Sequence, residues 1–152
     1  MLSLIDRLSE KHPVFAHDGP ISQMQSLRLL KQSLARDLAW LLNTRRSPDE
    51  AWKESEELKD SILSFGLPDF TGTSRKSHES CERLRHAIEK TISTYEPRLL
   101  RVRVSAQSER ANDRILHFRI SGQLNLQPHP EPIVFDTVLK IGTGDFHVRE
   151  AL

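Results

Sequence analysis

At Glu96-Pro97-Arg98 the apolar pattern of the chain changes period, and any fold must turn there. Before it, Cys81, Leu84, Ile88, Thr91 or Ile92, and Tyr95 step by three and four, the spacing of one helix face, within residues 77–95. Ser77 is a candidate N-cap, and Glu79 and Glu82 lie near the positive end of that helix. After it, Leu100, Val102 and Val104 alternate with Arg101, Arg103 and Ser105, the period of a half-buried strand. Pro97 enforces the break, because a proline pushes the residue before it out of the helical region.

The same reading sorts the rest of the chain. Leu27, Leu30, Leu34, Leu38 and Leu41 line one face of a helix over residues 22–43, with Ser22 as its cap and Leu29, Trp40 and Leu42 widening the stripe. Residues 49–60 are charged and form a solvated helix or a loop, and 61–70 are apolar but broken by Gly66 and Pro68. Leu116, Phe118 and Ile120 mark a second strand, IVFDTVLKI a third, and Phe146 with Val148 a short fourth. The polar connections SERAND and LQPHPEP are short, which predicts an antiparallel meander. Helices followed by strands predict an α+β fold, with N-terminal helices packed on a C-terminal antiparallel β-meander of three to four strands. Ahead of these, Leu2, Ile5 and Leu8 form a stripe too short to be a stable helix alone. That arm docks on its own domain or on a partner. Residues 1–20 therefore read as an arm and linker, and 21–152 as a single domain.

Bulk composition removes several function classes. Lys and Arg number 22 against 21 Asp and Glu, a net charge of +1, which provides no electrostatic footprint for nucleic acid or an anionic membrane. The single cysteine, Cys81, rules out an internal disulfide and fits a reducing compartment. The opening MLSLIDRLSEKHP carries early acids and no long apolar run, so it does not read as a signal peptide. No stretch approaches the roughly 20 apolar residues of a membrane span. The expectation is a cytoplasmic protein.

Catalytic patterns are thin. No glycine loop has phosphate-binding spacing, and no serine sits in a GxSxG context. His78 and Cys81 could share a helix face, but a zinc site needs more ligands, so no metal or cofactor is expected. Cys81 falls in an apolar stripe, where thiols act as small hydrophobes. For glycoside hydrolysis the candidate pair is Glu96 and Asp136, and nothing in their spacing shows that they meet. The triplet itself has two readings. Glu96 accepts backbone N–H groups or pairs with an arginine in a folded corner, or Glu96 and Arg98 form a charge-assisted contact with another chain. Flanking a proline, the two side chains need not share a side.

The ordered set RDLAWLLNTRR (36–46), FGLPDF (65–70), YEPRLLRVRV (95–104), LHFRISGQL, IVFDTVL and GDFHV resembles the TssE family of type VI secretion baseplate subunits. That family is related to the tailed-phage wedge proteins often labelled lysozyme-like. The resemblance implies a structural, non-enzymatic protein in the cytoplasm, at a baseplate docked to the inner membrane. Its implied partners are the wedge proteins TssF and TssG and the sheath proteins TssB–TssC. It implies sheath attachment through Glu96, Pro97 and Arg98, with the following strands offering a sheet edge for strand addition. The Leu2/Ile5/Leu8 arm would dock on the wedge. Arg45 and Arg46 would either neutralise the helix end or touch a partner. On the sheath-contact reading, Glu96→Ala or Arg98→Ala leaves the fold largely intact. The lysozyme-like label leaves a peptidoglycan-cleaving hydrolase as the alternative.

Overall fold

The computed structural model describes residues 23–47, 56–59, 61–70, 78–107 and 115–151. The Leu2/Ile5/Leu8 arm, Ser22, Ser77, most of segment 49–60 and the SERAND connection lie outside the described residues.

Helix α1 spans Gln23–Asn43, the one-turn helix α2 Glu56–Lys59, and helix α3 His78–Tyr95. Strands β1 (Leu99–Gln107), β2 (Ile115–Leu124), β3 (Glu131–Lys140) and β4 (Asp145–Glu150) follow in sequence. They pair antiparallel in the order β1-β2-β3-β4. This is the α+β arrangement of helices on an antiparallel meander. Helix α3 lies along β1 and α1 along β4, so both cover one face of the sheet.

The core forms where the two periods meet. Leu34, Leu38 and Leu42 of α1 and Ile88 and Ile92 of α3 pack over Phe118, Ile120, Leu124 and Phe135 of the sheet. Thr91 and Ile92 are both buried, so the α3 stripe is wider than one residue per turn. Trp40 departs from expectation. It is 50% exposed, and the Arg36 guanidinium lies 5.2 Å from its ring centre. Two positions along a helix is about 200° of rotation, so buried Leu38 and Leu42 turn Trp40 outward.

The expected face of β1 is also corrected. Leu99, Val102 and Val104 face the core, and Leu100 is 37% exposed. The register with β2 slips between Leu100 and Arg103, where Arg101 takes φ +53°. One extra residue in the strand reverses the facing of everything before it.

Segment 61–70 ties α1 to the end of α3. A 3₁₀ turn at Ile62–Ser64 is capped by the Ser61 hydroxyl, which accepts from Leu63 N. The Tyr95 hydroxyl donates to Ser61 O at 2.9 Å and bonds the Ser64 hydroxyl, and the Tyr95 ring stands edge-on to Phe65. Fully buried Leu67 donates its N–H to Thr44 O (2.9 Å) and accepts from Arg46 N (2.8 Å). Gly66 makes that approach possible. Its φ is +98°, and a Cβ there would lie 2.5 Å from Thr44 O.

Candidate functional site

The corner between α3 and β1 is built from backbone first. Glu96 N donates to Ile92 O at 2.9 Å, closing the helix, and Leu99 N donates to Glu96 O at 3.1 Å, closing the turn. Pro97 stands exposed at the crest. The turn directs Glu96 and Arg98 to the same side, where they pair as the folded-corner reading has it. Glu96 Oε1 accepts from Arg98 Nε at 2.7 Å and from Arg98 N at 3.2 Å, and Oε2 accepts from Arg98 Nη2 at 2.6 Å.

The pair does not end there. Arg98 Nη2 also donates to Asp37 Oδ2 on α1 at 2.8 Å, and Asp37 Oδ1 accepts from Arg36 Nη2 at 2.9 Å. Four charges alternate in sign from Glu96 through Arg98 and Asp37 to Arg36. The side chains of Glu96, Asp37 and Arg98 are only 7%, 16% and 20% exposed. A carboxylate buried to that degree is costly unless paired and hydrogen-bonded, and Arg98 supplies both. The Glu96 hydrogen bonds hold the Arg98 proton more tightly than usual, against the opposing effect of burial and with help from Asp37, so its pKa rises well above the ordinary arginine value. The network clamps α1 to the α3–β1 corner. Asp37 was not singled out from sequence, because its partner lies 61 residues away.

The α1 end is held in the same manner. Asn43 Nδ2 donates to Ala39 O (2.8 Å) and Phe146 O (2.9 Å), and its Oδ1 accepts from Phe146 N (2.8 Å). Arg45 donates to Leu42 O (3.4 Å) and Gly144 O (2.9 Å), and Arg46 to Gly66 O (3.3 Å). Both arginines thus contact backbone carbonyls of their own chain.

The residues weighed for catalysis are not assembled. Asp136 pairs with Arg119 at 2.9 Å on the sheet face turned from the helices, while Glu96 lies within the helix layer. An apolar cavity of ≈ 50 Å³ lies among Phe70, Cys81, Leu84, Leu116, Leu139 and Phe146, and its described lining holds no carboxylate. Burial, then the nearby Glu82 charge, push the Cys81 thiol above its ordinary pKa and disfavour the thiolate a nucleophile needs. Among the described residues no cluster of three metal-ligating side chains exists.

The sequence matches the family described as baseplate wedge protein gp25 over residues 28–129. The chain belongs to that family. The matched stretch runs from α1 through the Glu96-Pro97-Arg98 corner and β1 to the connection after β2. Among curated proteins none matches the chain. Membership makes it a structural component of the baseplate of a contractile injection machine, in contact with other baseplate proteins. The match takes in RDLAWLLNTRR, FGLPDF, YEPRLLRVRV and LHFRISGQL, while IVFDTVL and GDFHV lie beyond residue 129. Among the described residues no helix is long and apolar enough to cross a membrane.

Proposed function

We propose that this gp25-family chain is the TssE-type subunit of a type VI secretion baseplate, joining the wedge to the contractile sheath and helping to start sheath polymerisation. The observation that carries the reading is the family match over residues 28–129, a span that holds most of α1, the charged corner and β1. In this reading TssF and TssG hold the chain in the wedge, through the Leu2/Ile5/Leu8 arm. TssB–TssC subunits meet it at the Glu96-Pro97-Arg98 corner and the strand that follows. The chain works in the cytoplasm, at the baseplate docked to the inner membrane, and catalyses no reaction. The buried network refines how the triplet acts. Glu96 and Arg98 bond each other, and Arg98 bonds Asp37, within the chain, so they fix the angle at which Pro97 and β1 are presented. A docking surface fixed in advance loses less entropy on binding.

The test is sheath assembly in the source bacterium, followed with a fluorescent sheath subunit. Deleting the chain should abolish sheaths, and restoring it in trans should return them. Normal sheaths in the deletion strain would overturn the proposal.

A further inference from the structure

The sheet has two edges, and the hydrogen bonds show where their open backbone groups lie. Phe146 gives both its N–H and its C=O to Asn43, so these groups point out of β4. In an antiparallel sheet, hydrogen-bonded and non-hydrogen-bonded pairs alternate. Carried across the registers Leu139–Phe146, Phe135–Ile120 and Ile120–Val104, that alternation leaves Val104 with its N–H and C=O pointing out of β1. Helix α3 holds both groups. Glu89 Oε2 accepts from Val104 N at 2.9 Å, and Arg85 Nη1 donates to Val104 O at 3.2 Å. Each edge is thus closed at one residue by helix side chains in place of a strand.

The two closures differ in what opening them would cost. Asn43 ends α1, also bonds Ala39 O, and adjoins the Thr44–Leu67 and Arg46–Leu67 backbone bonds. Lys31 clamps the other end of β4 by bridging Glu131 (3.3 Å) and Glu150 (3.2 Å). Freeing the β4 edge therefore undoes the helix end. The β1 closure consists of two long charged side chains, each with another partner. Arg85 also bonds Glu82 at 2.9 Å and Glu89 at 3.5 Å, and Glu89 lies 3.5 Å from Arg103. Both can leave Val104 without becoming a lone charge. The outer side chains of β1 include Arg101 and Arg103, and the Arg103 side chain is 81% exposed. A second copy of β1 would set arginines against arginines, whereas an acidic strand complements them.

We propose that the β1 edge at Val104 is a closed strand-accepting surface, from which an extended partner segment bearing acidic residues opposite Arg103 displaces Glu89 and Arg85. Its biological partner rests on the assembly reading above; the closure itself does not. Charged side chains over an edge keep it from pairing indiscriminately, and pairing with a partner strand replaces the two bonds they give up.

The test uses the purified full chain and an eight-residue peptide alternating valine and glutamate, with a valine–lysine peptide beside it. Glu89→Ala/Arg85→Ala should speed deuterium exchange at the Val104 amide and tighten binding of the valine–glutamate peptide about tenfold, from two backbone bonds no longer contested. Adding Val104→Pro removes an N–H that the β2 ladder does not use, and should abolish that binding. The lysine peptide should not bind. Wild-type exchange at Val104 in the opened chain, no binding of the glutamate peptide, or equal binding of both peptides would overturn the proposal. Should the double variant fail to fold, exchange at Val104 in Glu89→Ala alone decides in the same two directions. None of these readouts needs a sheath or wedge protein, so they stand apart from sheath assembly in the cell.

Discussion

Replacing Glu96 with Gln removes one charge from the corner and leaves its shape. Two short charge-assisted contacts are affected, Oε1 to Arg98 Nε at 2.7 Å and Oε2 to Nη2 at 2.6 Å. The amide keeps one acceptor but turns an NH₂ group toward the guanidinium. Each hydrogen bond to a charged group contributes roughly 1.5–3 kcal/mol. Breaking a buried pair by removing one partner costs about 3–5 kcal/mol. Asp37 still neutralises Arg98, which moves the expected loss toward and past the lower end of that range, to about 2–4 kcal/mol. For a chain of this size each kcal/mol lowers the Tm by roughly 2–4 °C, so a fall of about 5–15 °C is expected in thermal unfolding. Asp37→Asn removes the other support, and the two substitutions together should be non-additive, as for groups in one network. A loss under about 0.5 kcal/mol would mark the pair as an ordinary surface ion pair and refute the clamp. The same geometry revises the expectation that Glu96→Ala or Arg98→Ala leaves the fold largely intact.

Gly66→Ala should lower stability by about 1–3 kcal/mol, because the residue is held at φ +98° with Thr44 O only 2.5 Å from the added carbon; an unchanged urea midpoint would contradict that close approach of Gly66 to Thr44. Leu34 is fully buried, and Leu34→Ala should cost about 2–5 kcal/mol by the same measurement. Cys81 should alkylate with iodoacetamide far more slowly in the folded chain than in urea, since burial raises its pKa, and equal rates would place the thiol at the surface. Burial opposes charge on Lys31, but Glu150 and Glu131 outweigh it, and its pKa is raised above 10.5. The stability it contributes is present below that value and is lost as pH climbs through the raised one. Lys31→Met should therefore narrow its deficit against wild type in strongly alkaline urea titrations; a deficit that widens there would refute the assignment.

What could be read from the sequence was what repeats along it. The α1 and α3 stripes, the alternation in β2 and β3, and the turn at Pro97 all follow from local spacing, and each positions an element. The bulge in β1 was not legible, because Leu99-Leu100 gives either residue as a plausible inward position and one slip decides between them. Trp40 misled because size suggests burial, while its angle between Leu38 and Leu42 dictates exposure. The corner residues were visible, but not their network. Asp37 looked like one more charge on a polar helix face, and only the folding of α1 against the corner brings it to Arg98. Glu89 was equally anonymous, since a glutamate on a helix gives no sign that it will meet a strand edge.

The central claim is that this chain joins wedge to sheath through the corner that Glu96 and Arg98 hold. Its most direct test is a pull-down from the source bacterium with tagged wild type, Glu96→Gln, and a core variant of matched stability loss such as Leu34→Ala, with partners identified by mass. The account predicts that wild type and the core variant recover both wedge and sheath proteins, while Glu96→Gln keeps the wedge proteins and loses the sheath. Equal recovery of sheath by all three, or no secretion components with wild type, would contradict it.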